Sequence, residues 1–194
     1  MVKKLLLAVL VVVVVFVLYV ATRPSAYRIE RSAAVAAPPA IVYAQVADFH
    51  RWPAWSPWAH LDPHMEVQYT GAPSGLGAVY DWKGNDKVGQ GRMTIVDARP
   101  AEQLGIKLEF MKPWAQTSRS EFLFKPEAGG TRVAWVMTGE NDFVGKAFGV
   151  FMNMDKLVGG DFEKGLATLR NVSEEASVKA QQPAEPPAAA APAR

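Results

Sequence analysis

Apolar and polar residues alternate through most of the middle of the chain. Tyr27, Ile29, Arg31, Ala33 and Val35 share one side of a first segment, which is the period of a strand. Pro38 and Pro39 then open a short helix, because Pro is tolerated in a helix's first turn. Val42, Val46 and Phe49 fall on one face of it. The segment HRWPAWSPWAHLDPH follows, and its three prolines break any long helix. Alternation resumes at Met65, Val67 and Tyr69, TGAPSG signals a turn, and Leu76, Ala78, Tyr80 and Trp82 share the next face. KGND closes a hairpin into Lys87–Asp97, and Leu104, Ile106, Leu108 and Phe110 alternate after it. Lys112-Pro113 turns the chain, and Thr117–Phe124 and Thr131–Thr138 form a further hairpin around PEAGG. The pattern predicts one strand, one or two short helices, then six strands in consecutive antiparallel hairpins.

The period then changes. Phe151, Met154, Val158, Phe162, Leu166 and Leu169 recur at three- and four-residue steps, which predicts a final helix. Gly159, Gly160 and Gly165 interrupt it, each at about 1 kcal/mol against Ala in a helix interior. Either they permit close packing against a sheet or ligand, or the helix breaks at Gly159-Gly160.

The two ends are unlike this middle. Leu5 to Ala21 is a run of 17 residues without charge, mostly Val and Leu. At about 1.5 Å per residue it spans roughly 25 Å, near the short end of a transmembrane helix. Three readings stand: an uncleaved anchor, a cleaved secretory signal, or a core segment of a soluble fold. The run is long for a signal's apolar region, and bulky Tyr19 or Pro24 would stand three residues before the available cleavage points. Lys3 and Lys4 favour an N-terminus held in the cytoplasm, with the folded part across the membrane; Arg23, Arg28 and Arg31 weaken that orientation. At the other end, Pro- and Ala-rich residues without aromatics predict a disordered tail. The expected organisation is an anchor or signal with linker over 1–26, one domain over 27–175 and a tail over 176–194.

Composition narrows the function classes. The 194 residues include no Cys, which excludes disulfides, thiolate metal sites and a cysteine nucleophile. The net charge of +2 resides in the flanks; residues 27–175 hold 16 Lys/Arg against 18 Asp/Glu, so no nucleic-acid partner is expected. His50, His60 and His64 cluster around Asp62, but Pro63 spoils a helical ligand pair, and surface loop histidines are the plainer reading. Arg119 and Glu121 share a strand face opposite Phe122 and Phe124, with Arg92 on a neighbouring strand, which reads as a solvated charge ladder. Glu109, Asp155, Asp161 and Glu163 form no acid–base pair by spacing. No phosphate-loop spacing and no GxSxG motif occurs. No catalytic residue, metal or cofactor is expected, and nothing in the sequence reports the oligomeric state.

Three stretches carry a resemblance: AAPPAIVYAQVADFHRWPAWSPW, GLGAVYDWKGNDKVGQGRMTI and MDKLVGGDFEKGLATLR. Together they resemble the SRPBCC superfamily in its polyketide cyclase/dehydrase branch, which is related to START lipid-transfer domains and birch-pollen allergens. The resemblance implies an α+β helix-grip fold. In that fold a curved antiparallel sheet of about seven strands wraps around a long C-terminal helix and leaves a cavity between them. To this the apolar N-terminal run adds a transmembrane helix. Trp82, Phe110 and Trp135 take the inward face by alternation. Trp52, Trp55 and Trp58 recur every third residue at what would be the cavity's end, either bordering its mouth or plugging it. The expected ligand contacts are Trp55, Trp58, Trp82, Phe110 and Trp135. The leading functional expectation is a membrane-tethered module that holds an apolar or amphipathic small molecule or lipid without catalysis. The alternatives are a cyclase/aromatase-like enzyme and a protein-interaction or stress module. A filled interior favours the last of these, and an open apolar one the first.

Overall fold

In the computed structural model, which describes residues 1–182, the alternating segments form one seven-stranded antiparallel sheet. The elements are α1 (Val2–Ala21), β1 (Ala26–Val35), α2 (Pro39–Ala47), a 3-10 turn (Phe49–Ala54), β2 (Glu66–Gly71) and β3 (Ala78–Lys83). They continue with β4 (Gln90–Arg99), β5 (Gln103–Lys112), β6 (Gln116–Glu127), β7 (Gly130–Glu140), α3 (Phe143–Phe151) and α4 (Met154–Gln181). The spatial order is β1-β7-β6-β5-β4-β3-β2, so only β1 pairs out of sequence, against β7. This open sheet with its long C-terminal helix is the helix-grip arrangement.

The alternation sets the inner face. Register aligns Ile95, Ile106 and Ser120 across neighbouring strands, and Leu104, Phe122 and Trp135 beside them. All six are buried. On the outer face Arg119 pairs with Glu121 at 2.7 Å, Arg92 with Asp81 at 2.7 Å, and Lys107 with Glu109 at 2.6 Å. That is the solvated ladder expected from their positions, and exposed pairs of this kind add little stability.

α4 lies on the inner face, against β1 above all and then β7 and α2. Phe162, Leu166 and Leu169 are buried along its apolar stripe. Arg31, on the inner side of β1, donates to the carboxylates of Asp155 at 3.1 Å and Glu163 at 2.7 Å on α4. The guanidinium lies over Gly159, where a Cβ would collide with it. Gly165 similarly faces Trp135 and Pro57. Gly159 and Gly165 therefore serve close packing, Gly160 faces open space, and the helix runs unbroken through Gly159-Gly160.

Two boundaries differ from the sequence expectation. The helical stretch breaks earlier, at Met152-Asn153: Met152 is extended, and Asn153 caps α4 by accepting from the Lys156 amide at 3.0 Å. Phe151 thus belongs to a separate helix, α3. At the far end α4 continues to Gln181, with Ser177 buried, so the first residues assigned to the tail are part of the packed helix. The rest of the expected tail, 183–194, lies outside the described residues.

Candidate functional site

The inner face divides into a part filled under α4 and a part that α4 does not cover, where Phe49 and His50 pack on Tyr80 and Tyr69. Under α4, Trp135 is sandwiched between Phe162, at 4.1 Å and nearly parallel, and Phe122, at 4.7 Å. Trp55 meets both Phe122 and Trp135 edge-on, at 6.0 and 5.7 Å. Trp58 closes the group with its edge toward Trp135 and Phe162. The buried indole N–H groups have partners: Trp55 donates to the Gln45 carbonyl, Trp52 to the Val46 carbonyl, and Trp135 to Ser120 Oγ. Trp55 and Trp135 are each 2% exposed. These rings fill the space where a cavity was expected, so Trp55, Trp58 and Trp135 act as core and plug, each ring occupying the room a ligand would need.

Trp82 and Phe110 stand apart from that stack. Strand register places Tyr69, Tyr80, Met93, Leu108, Ser118, Gly139 and Tyr27 in one line across all seven strands. Val67, Trp82, Gly91, Phe110 and Gln116 form the adjacent line, nearest the β5–β6 turn. In contrast to the lines under α4, most of these side chains are only half-buried. The rings form a continuous row, Tyr69 to Tyr80 at 5.5 Å, Tyr80 to Trp82 at 6.1 Å and Trp82 to Phe110 at 6.0 Å. Gly91 leaves room for the Trp82 ring, whose N–H donates to the Val88 carbonyl at 3.0 Å. The result is an aromatic wall on the concave face.

One polar group ends the wall. Tyr27 Oη and Ser118 Oγ are 2.8 Å apart, and Gln116 Nε2 donates to Tyr27 Oη at 3.4 Å. Burial raises the Tyr27 hydroxyl above the ordinary phenol value and pushes Tyr80 up to about 12. Both stay protonated at neutral pH, so the Tyr27 corner can donate and accept hydrogen bonds.

Of the histidines only His50 touches the aromatic row, at its Tyr69 end. His50 stacks on Tyr69 at 4.0 Å, and His60 Nε2 lies 3.0 Å from the Pro53 carbonyl. Asp62 accepts from the His64 amide at 2.9 Å and the Asn85 amide at 2.7 Å, which holds its carboxyl below the usual range. No group of three or more potential ligands is gathered for a metal among the described residues. Two surface depressions, of about 760 and 570 Å³, take in residues of both faces: the first has Tyr27 and Ser118 with Lys107 and Arg119, the second Val67 and Trp82 with Asp81 and Arg92. Neither involves α4.

Tyr69 and Tyr80 were legible as wall residues, since they alternate with Val67 and Trp82. Ser118 was not, because a small polar residue in a strand signals nothing until its cross-strand neighbours are known.

The chain belongs to the polyketide cyclase / dehydrase and lipid transport family, whose model matches residues 26–174. Among solved structures, the di-domain ARO/CYC StfQ of the steffimycin biosynthetic pathway is similar with TM-score 0.62 at 13% identity, covering 79% of this chain and 52% of that one. A protein of unknown function from Staphylococcus aureus gives TM-score 0.57 at 14% identity, covering 82% and 99%. The protein Ara h 8.0201 gives 0.51 at 10%, covering 79% and 99%. At such identities the likeness is one of fold. No curated protein matches the sequence.

Proposed function

We propose that this protein is a membrane-tethered binding module for an apolar or amphipathic small molecule, held against Tyr80, Trp82 and Phe110. The observation that carries the reading is the row of half-buried rings on a concave face that α4 does not cover. Flat aromatic surfaces on a rigid sheet offer contact area at low entropic cost. The Tyr27–Ser118–Gln116 corner suits a hydroxyl or carbonyl at the ligand's polar end. α1 is long and apolar enough to cross a membrane, and its flanking Lys3 and Lys4 favour placing the domain on the extracytoplasmic side.

The test is titration of the detergent-solubilised chain with fatty acids, sterols and polycyclic aromatic compounds, followed by tryptophan fluorescence. A saturable change at micromolar ligand, lost in Trp82→Ala/Phe110→Ala and kept in Trp114→Phe, supports the reading. No response up to millimolar ligand, with no small molecule in an organic extract of the purified protein, sinks it. Turnover of a bound polyketide-like compound would replace it with the enzyme reading.

A further inference from the structure

α3 presents none of its nine residues to the core. Phe143, Val144 and Phe148 are exposed, and Phe151 is 77% exposed. The apolar exposure continues through Met152, Met154 and Leu157. Trp114, in the β5–β6 turn, is 66% exposed and packs only its ring against Phe148, at 5.6 Å. Such a concentration of large side chains on one surface marks an interaction site.

Its neighbour shows what covers it. α3 packs against α1, with Phe151 and Phe16 rings 5.9 Å apart. Phe16 lies five residues before the end of α1 at Ala21, which is about 8 Å along a helix axis. In a bilayer whose hydrocarbon core is about 30 Å thick, that depth is about halfway to the centre, within the roughly 5–10 Å that the apolar face of an interfacial helix reaches. A side chain touching Phe16 there meets lipid. The same segments carry Lys112, Lys146 and Lys156, none of them in a salt bridge among the described residues, while Asp155 is bound by Arg31. Cations beside exposed apolar side chains suit anionic headgroups.

We propose that α3, the Trp114 turn and Met152–Leu157 lie in the bilayer interface beside α1, so that the domain is seated on the membrane surface. The inference rests on α1 being a membrane span. It also gives the aromatic wall a direction. The line of Trp82 and Phe110 is the one nearest the β5–β6 turn, and β1 enters the sheet just after α1. The open end of the wall therefore faces the bilayer, and an apolar ligand reaches it from lipid without crossing water.

The chain has no cysteine, so single probes are clean. Phe148→Cys, Val13→Cys and Lys125→Cys, each labelled with an environment-sensitive fluorophore, go into vesicles of phosphatidylcholine and phosphatidylglycerol. Val13 lies within α1, and Lys125 is exposed near the β6–β7 turn. The expected result is quenching at Phe148→Cys by lipids carrying a nitroxide near the headgroup, several-fold stronger than at Lys125→Cys, with loss of iodide quenching. Phe143→Cys gives the second probe should Phe148→Cys fail to fold. If Val13→Cys is quenched by lipid while both α3 probes remain open to iodide, the span stands and the docking surface is refuted. If Val13→Cys is itself unquenched by lipids carrying the nitroxide deep in the acyl chain, the membrane-span reading fails. Shielding of the α3 probes from both quenchers, with self-crosslinking, would assign the surface to a second copy and overturn the proposal.

Discussion

Trp135 shows how much one position constrains. Its ring is held between Phe122 and Phe162, and a Cβ at Gly165 would stand 2.8 Å from that ring and 3.1 Å from Pro57. The ring cannot yield, because both of its faces are occupied. Gly165→Ala is therefore expected to lower stability by about 1–3 kcal/mol through overpacking, despite the better helix propensity of Ala. Gly160, on the same helix, has nothing within 4 Å of such a Cβ. Gly160→Ala is expected to raise stability by up to about 1 kcal/mol. Urea unfolding of the two variants should give shifts of opposite sign; equal shifts would mean that the Trp135 stack gives way. The same ring explains why Trp135 cannot contact a ligand without the helix moving.

Among the elements, the irregular segment before β2 is fixed by one carboxylate. Asp62 is 8% exposed and joins its own loop to the β3–β4 turn through the His64 and Asn85 amides. These two donors depress its folded-state pKa, and Coulombic attraction of His64 adds to them. A depressed carboxylate pKa contributes stability above the unfolded value, and that contribution is lost as pH falls through the folded value. Asp62→Asn should therefore lower the melting temperature by a constant amount from neutrality down to about pH 4, the ordinary Asp value. Below it the gap to wild type should narrow. A gap independent of pH throughout the acid range would show that the charge plays no part.

For the whole molecule, the lower end of α4 decides where the domain stops. Ser173 and Ser177 are buried, and Gln181 reaches back to Ser177 at 3.4 Å. A chain of residues 27–182 is expected to unfold cooperatively without α1. Ending it at Glu175 should lower the melting temperature by at least roughly 2–4 °C, the shift about 1 kcal/mol gives in a domain of this size. Calorimetry of the two lengths checks this; equal midpoints would return the boundary to 175.

The strands, their inner and outer faces and the apolar run of α1 were legible in the chain, because local periodicity and composition are carried by each segment alone. The family was legible differently, through the resemblance of three longer stretches. The sequence also placed Trp82, Phe110 and Trp135 on one face. That Trp135 is locked between Phe122 and Phe162, while Trp82 and Phe110 lie outside the lines under α4, emerged from the packed molecule. Alternation tells which face a side chain takes, but not which lines across the sheet the helix covers. That depends on where α4 crosses β1 and β7, set by Arg31 over Gly159 and Trp135 against Gly165. The separation of α3 from α4 was equally hidden, because Phe151 and Met154 continue the helical period. It took the Asn153 cap, and the approach of Phe16 to Phe151, to turn those apolar side chains away from the core.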